Sequence, residues 1–226
     1  MKSQVKEINM NVVDVFCGTK SVSSVFLDRG HDVLTIDWDK QHQPDIRDNV
    51  LNISADDILS FYGWDSVDFI HLSPDCTTYS IAAISTHRYP DGRPKTDKAI
   101  LADKVRVHIM KLLVDLKPRY FTIENPVGMF RKMPEIMALS RKYFHAKVTY
   151  YKYGDTRMKP TDIWHNVPTL RFRPPCKNGS SCHESAPRGS KTGTQGRKDS
   201  VERSMIPYEL CFEICKAVEA ASRSAK

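Results

Sequence analysis

Short apolar runs rich in β-branched residues recur through the first two-thirds of the chain, and segments of helical periodicity separate them. Val12-Val13-Asp14-Val15-Phe16-Cys17 is the first such run, followed by Val33-Leu34-Thr35-Ile36, Val67-Asp68-Phe69-Ile70-His71-Leu72 and Tyr120-Phe121-Thr122-Ile123. Runs of this length and composition read as buried strands. After the first, Val22, Val25 and Phe26 share a helical face that Gly30 brings to a stop. Leu101, Val105, Ile109, Leu112, Leu113 and Leu116 recur at helical spacing until Lys117-Pro118. Alternation of this kind through residue 145 predicts an α/β fold, Rossmann-like, with a mostly parallel sheet flanked by helices. Weaker signals add an extended stretch from Ile46 to Ile53, a sixth strand over Lys147 to Tyr153 and a short seventh at Ile163-Trp164. The polar, turn-rich segment Ser85 to Lys98 reads as a mobile loop.

Beyond Trp164 the pattern breaks down. Residues 165–204 carry eight Lys/Arg against three acids, a net +5 of the chain's +7, and 17 of the 40 are Gly, Pro, Ser or Thr. A basic loop of this length suggests a polyanionic partner. Helical periodicity returns with Leu210, Ile214, Val218 and Ala221. The expected organisation is a catalytic domain over residues 1–166, a basic substrate-binding region over 167–204 and a C-terminal helix in 205–226 that packs back on the first part. No apolar run is long enough to span a bilayer and Met1 to Glu7 lacks an apolar signal region, so the expected location is cytoplasmic, with the six cysteines reduced.

In open α/β sheets ligands sit at the carboxyl ends of the strands. The first strand runs into Phe16-Cys17-Gly18-Thr19, a small turn before a helix, where backbone amides suit a polar or anionic ligand. The second ends at Asp37, whose carboxylate can accept both hydroxyls of a ribose, and Trp38 beside it could lie against an adenine. The fourth ends in Ser73-Pro74-Asp75-Cys76-Thr77-Thr78-Tyr79-Ser80, which puts a thiol on a polar loop. The fifth delivers Ile123-Glu124-Asn125-Pro126.

Ser-Pro-Asp-Cys-Thr-Thr-Tyr-Ser resembles the Pro-Cys loop of cytosine-5 DNA methyltransferases, and Ile-Glu-Asn-Pro resembles their Glu-Asn loop. Phe16-Cys17-Gly18 and Asp37-Trp38-Asp39 resemble the S-adenosylmethionine motifs of the same family. With Lys-Pro-Thr-Asp-Ile-Trp further on, the pattern is similar to that of the short members found in phages and prophages. Asp75 replaces the family's second Pro, Thr77 its Gln and Lys20 its second Gly. The resemblance implies S-adenosyl-L-methionine as cofactor, held by Phe16, Cys17, Gly18, Thr19, Asp37, Trp38, Asn49 and Ser73. It implies Cys76 as the nucleophile toward cytosine carbon 6 and Glu124 as the acid at ring nitrogen 3. Arg157, in the place of the Gln of a Gln-x-Arg-x-Arg segment, and Lys159 would hold the base's carbonyl oxygen or a flanking phosphate.

Family members usually insert a large recognition domain before the final motifs, and only the basic loop fills that place here. Arg188, Lys191, Arg197 and Lys198 are the expected phosphate contacts on double-stranded DNA with a flipped cytosine. Cys176, Cys182 and His183 are not at a good zinc spacing, even with Cys211 and Cys215 as further donors, so no metal is expected. The same chemistry on RNA or a free pyrimidine nucleotide, and a non-catalytic DNA-binding relative, stay open as alternatives.

Overall fold

The computed structural model describes residues 8–177, 180–182 and 200–224. Seven strands form one sheet: β1 (Asn11–Val15), β2 (Asp32–Asp37), β3 (Ile46–Arg47), β4 (Phe69–Leu72), β5 (Tyr120–Pro126), β6 (Phe144–Thr149) and β7 (Pro160–His165). Their spatial order is β3-β2-β1-β4-β5-β7-β6. β1 to β5 pair in parallel, while β7 runs antiparallel to both of its neighbours. The link from β6 to β7 is too short to hold a crossover helix, so that pair must be antiparallel. The helices are α1 (Ser21–Asp28), α2 (Ala55–Tyr62), α3 (Ile84–His87), α4 (Asp97–Leu116), α5 (Pro134–Lys142), α6 (Ser200–Ser204) and α7 (Tyr208–Ser224).

The central strands are buried on both faces, which is why they read as nearly continuous apolar runs. Val12 and Phe69 face one core, with Val22, Val25 and Phe26 of α1 and Leu210, Ile214 and Val218 of α7. Val13, Val15, Ile70 and Leu72 face the other, with Ile58 of α2, Ile109 and Leu112 of α4 and Ile136 of α5. α4 starts on the Thr96 cap, whose hydroxyl accepts from Ala99 N, and stops at Lys117 in a left-handed conformation, since Pro118 disfavours helix in the residue before it.

Four local expectations change. Ile46 to Ile53 yields only a two-residue edge strand and then a 3-10 turn over Val50–Asn52. The strand expected over Lys147 to Tyr153 runs from Phe144 to Thr149, and Tyr150–Tyr153 is a 3-10 turn. Part of the basic segment, Ser200–Ser204, is helical. Ser85 to Lys98 is not an open loop: it holds most of α3, a bridge between Arg88 and Pro94, and the start of α4. The cause is Arg88, which is fully buried. Its guanidinium donates to Thr78 O and Gly92 O, each at 3.0 Å, and to both Asp103 oxygens at 2.9 and 3.1 Å, and lies 4.2 Å over the Tyr79 ring. A paired, fully bonded cation of this kind fixes the segment around it. Among the described residues no helix is long and apolar enough to cross a membrane.

Candidate active site

The carboxyl ends of β1 and β2 build the first part of the site. Beyond Val15 the chain turns through Phe16 (φ 62°), Gly18 (φ 47°) and Lys20 (φ 57°), all left-handed. The glycine expected at position 20 would reach that conformation at little cost; lysine gives up about 1–2 kcal/mol there, partly offset by its Nζ donating to Gln43 O at 2.7 Å. The turn brings Gly18 N to Asp37 Oδ2 (3.0 Å), and Asp39 N donates to Asp37 Oδ1 (2.9 Å). Asp37 is thereby held rigid, and each of its oxygens keeps a lone pair for a further donor.

A cavity of about 450 Å³ opens over this turn, lined by Phe16, Asp37, Trp38, Asn49, Asp48 and Tyr79 among others. Trp38 is 71% exposed, so it is no core residue. Asn49 uses its Oδ1 to cap a 3-10 turn, accepting from Leu51 N at 3.1 Å. The neighbouring carboxylate, Asp48, was not singled out from the sequence, although an acid suits an amino group better than a carboxamide does. Cys17, Gly18, Thr19 and Ser73 line an adjoining cavity of about 80 Å³, which Phe16 shares. So the eight residues expected to hold a cofactor divide between two neighbouring hollows. Burial, with Asp14 and Asp37 adding to it, pushes the Cys17 thiol up to about 12, which makes it inert.

Two further buried groups line the smaller cavity. Burial, opposed by hydrogen bonds from Ser23, raises the Asp14 carboxyl to about 7. His71, in register between Asp14 and Thr122, shares a 2.8 Å hydrogen bond with Thr122 through Nδ1 and has no partner at Nε2. Burial drops its imidazole to about 3, so it is neutral.

The ends of β4 and β5 build the second part. Cys76 sits half-buried in a tight turn whose carbonyl accepts from Tyr79 N (3.0 Å) and Ser80 N (2.9 Å). Leu72 pairs with Ile123, so the residues that follow them, Ser73 and Glu124, lie side by side. Ser73 Oγ donates to Glu124 Oε2 at 2.8 Å and Tyr150 Oη to Glu124 Oε1 at 2.7 Å. Asn125 Nδ2 donates to Pro74 O at 2.9 Å, and Met129 N to Tyr79 O at 2.8 Å, so the two loops are cross-linked by hydrogen bonds. Burial first, then the negative charges of Glu124 and Asp75, push the Cys76 thiol up to about 11, while Lys159 pulls it down.

Lys159 and Arg157 do not share a role. Lys159, at φ 30°, donates from Nζ to Arg203 O at 2.9 Å and lies 4.4 Å over the Tyr150 ring. Burial lowers its pKa, and Glu124 and Cys76 act against that. Arg157 is buried and forks onto Asp155, with further bonds to the carbonyls of Glu202 and Arg203. Its donors are spent on the chain itself, so the cation whose charge bears on both Cys76 and Glu124 is Lys159. Nothing local in the sequence marks Tyr150, or Gly128, whose backbone bridges to Ser80 and so joins the Glu124 loop to the Cys76 loop.

Arg188, Lys191, Arg197, Lys198 and His183 lie outside the described residues. Cys176 and Cys182 place their sulfurs 3.0 Å apart, and Cys211 and Cys215 are buried on the inner face of α7. His31, Cys215 and Glu219 cluster between α1 and α7. Arg29 forks onto both Glu219 oxygens at 2.7 Å, which makes this group an ion pair rather than a ligand set.

No protein-family model matches the chain, and neither does any curated protein. Solved structures do. A proposed DNA modification methyltransferase encoded within an E. coli prophage superposes with a TM-score of 0.52 at 20% identity, over 70% of this chain and 46% of that one. The Entamoeba histolytica methyltransferase EhMeth gives 0.52 at 17% identity, over 74% and 55%. The S. pombe Dnmt2 methyltransferase gives 0.50 at 14%, over 70% and 49%. The matched part of this chain spans about half the length of these structures. The likeness establishes the fold, which is the α/β Rossmann-like fold of methyltransferases.

Proposed function

We propose that this chain transfers a methyl group from S-adenosyl-L-methionine to carbon 5 of cytosine in DNA, through a covalent adduct of Cys76 with a base extruded from the duplex. The observation that carries the reading is the meeting of a thiol and a carboxyl group on adjacent parallel strand ends, beside a cofactor-sized cavity. At about 450 Å³ that cavity falls within the range of about 300–1,000 Å³ usual for cofactor sites. Its donor set fits the cofactor. Asp37 would accept the ribose hydroxyls, Asp48 or Asn49 would face the adenine edge, and the smaller cavity, with the unpartnered His71 Nε2, is polar enough for the amino-acid end. When bound, the cofactor supplies an electrophilic methyl on a sulfonium to carbon 5 and departs as a neutral thioether.

Cytosine carbon 5 is a poor nucleophile until a thiolate adds to carbon 6. The Cys76 thiol gives its proton to water and its Sγ, as the thiolate, forms that bond, while Glu124, as the neutral acid, gives its proton to ring nitrogen 3. A neutral Glu124 also removes the negative charge that holds the Cys76 thiol up, so the two requirements agree. Ser73 Oγ can turn to accept the Glu124 proton between turnovers, since a hydroxyl both donates and accepts. Tyr150, its phenol held protonated by burial, orients the other Glu124 oxygen. Lys159 offsets the thiolate charge. After methylation the carbon 5 proton passes to water, the Sγ–C6 bond breaks, and nitrogen 3 returns its proton to Glu124. The net +5 over residues 165–204 supports a nucleic acid rather than a mononucleotide as substrate.

The test is covalent trapping. Duplex DNA made with 5-fluorocytosine should give a denaturation-stable adduct with the native chain and S-adenosylmethionine, because fluorine cannot leave carbon 5 as a proton does. Cys76→Ser should give none. An adduct with Cys76→Ser refutes the nucleophile, and an adduct with fluorinated RNA but not DNA moves the reaction to RNA.

A further inference from the structure

Of the six cysteines, Cys17, Cys211 and Cys215 are buried, and Cys76 belongs to the site already described. Cys176 and Cys182 differ from all four. Both are half-buried, and the Cys182 thiol donates to Cys176 Sγ at 3.0 Å. Six residues of extended chain span about 20 Å, so the backbone between the two must double back. It does so through a turn in which Ser180 N donates to Lys177 O at 3.2 Å.

Cys176 is held to the body of the fold from several sides. Its N–H donates to Thr149 Oγ1 at 2.9 Å, and Thr149 is the buried last residue of β6. Pro174 and Pro175 restrict the backbone just before it. Arg173 N donates to Tyr153 Oη at 2.8 Å, and the Arg173 guanidinium reaches Lys152 O and Glu213 of α7, each at 2.7 Å. One sulfur is therefore fixed, and the turn brings the other to within about 1 Å of disulfide length. The hydrogen bond to Cys176 raises the Cys182 thiol, with the charge of Lys152 acting against it. A thiol that donates to a neighbouring sulfur favours that neighbour as the thiolate, which makes Cys176 the sulfur that attacks first.

We infer that Cys176 and Cys182 form a reversible disulfide site, closed by a low-molecular-weight disulfide and reopened by a low-molecular-weight thiol. With glutathione disulfide, Cys176 loses its proton to water and attacks one sulfur of that molecule. The S–S bond of glutathione disulfide breaks, and one glutathione leaves as a thiolate that takes up a proton. Cys182, deprotonated in turn, attacks Cys176 Sγ, and the second glutathione leaves in the same way. Two protein thiols and one small disulfide become one protein disulfide and two small thiols, so no further oxidant is needed. The new bond ties Cys182 to the backbone that Thr149 holds. It needs no step of the proposed methyl transfer.

The experiment holds the reduced full chain in millimolar glutathione disulfide, alkylates the remaining thiols and maps the peptides by mass without reduction. A Cys176–Cys182 crosslink, lighter than the two thiols by two hydrogens, should outnumber glutathione adducts at these residues by at least about tenfold, because each sulfur faces the other at a far higher effective concentration than glutathione reaches. Excess reduced glutathione should reopen it. Cys182→Ser should collect glutathione on Cys176, and Cys176→Ser should collect it on Cys182 more slowly; the reverse order overturns Cys176 as the attacking sulfur. Thiols that stay reduced in excess glutathione disulfide, or glutathione on both residues of the native chain with no crosslink, overturn the site. A crosslink from either cysteine to Cys76 overturns it too, and a bond that reduced glutathione cannot reopen overturns its reversibility.

Discussion

Gly128 is where the Cys76 loop and the Glu124 loop touch, and replacing it tests whether the two are locked together. A Cβ at this position would lie 2.3 Å from Tyr79 O, 3.2 Å from the Tyr79 carbonyl carbon and 3.4 Å from Ser80 Cα. All three are backbone atoms, so no side chain can swing aside. The backbone of Gly128 is extended, with φ at −174°, so alanine brings no torsional penalty and the whole effect is collision. To reach even a 3.0 Å contact the segments must part by at least about 0.7 Å. That strains the 2.8 Å bond from Met129 N to Tyr79 O and the Ser80–Gly128 bridge. Overpacking costs about 1–3 kcal/mol and a weakened hydrogen bond about 1 more. Gly128→Ala should then destabilise by about 2–4 kcal/mol, or roughly 5–15 °C in Tm for a chain of this size. The rate should suffer more than stability: a reacting group misplaced by about 1 Å can lose about a hundredfold. Thermal unfolding and the single-turnover rate of 5-fluorocytosine trapping, both measured well below the lowered Tm, check the two figures. A variant with a melting temperature within about 1 °C of native and a trapping rate within about twofold would show that the loops are not locked through this contact.

Asp37→Ala should weaken S-adenosylmethionine binding by about 1.5–3 kcal/mol in calorimetry, the range for hydrogen bonds to a charged group; unchanged affinity would move the ribose contact elsewhere. Asp14, with its carboxyl raised to about 7 by burial, binds a proton in the folded state over a range where the unfolded chain has lost it, so its contribution to stability falls as pH rises from about 4 to about 7. His71, lowered to about 3, does the opposite and loses stability as pH falls below its unfolded value. Asp14→Asn should therefore stabilise at pH 8, by up to about 4 kcal/mol, while leaving a steeper loss on acidification; urea melts at pH 8 and pH 4.5 that shift equally would refute this. Replacing Arg188, Lys191, Arg197 and Lys198 together by Ala should flatten the slope of log DNA affinity against log salt by up to about four, roughly one for each phosphate no longer neutralised. An unchanged slope with unchanged affinity would assign the segment another task.

The parts of this site that can be read from the sequence are those fixed by position along a strand. A strand that ends in Asp37, that leads into Ser73-Pro74-Asp75-Cys76, or that carries Glu124 near its end delivers those residues to one edge of the sheet whatever the loops do, and the fold that follows from the alternation is the one observed. The parts that cannot be read depend on partners far away in the chain. Arg88 stands in a polar, turn-rich stretch that looks solvated, and only Asp103 and Thr78 make it a buried anchor. Tyr150 looks like the end of a strand, and only its place opposite Glu124 makes it a hydrogen-bond donor to the site. The choice between Arg157 and Lys159 shows the limit most clearly. The two are separated by one residue in a segment without helical or strand periodicity, so no pattern says which side chain turns toward the thiol. The outcome rests on Asp155, two residues before Arg157, which captures the guanidinium by a local fork, and on the left-handed turn at Lys159 ahead of Pro160. Both cations then grip the carbonyl of Arg203, in the last turn of α6. Ser204 and Ile206, just beyond, help to line the smaller cavity. Arg157 is thus placed to hold the wall of the smaller hollow while the charge of Lys159 bears on the thiol, a division of labour between neighbours that a one-dimensional motif assigns to a single row of charges.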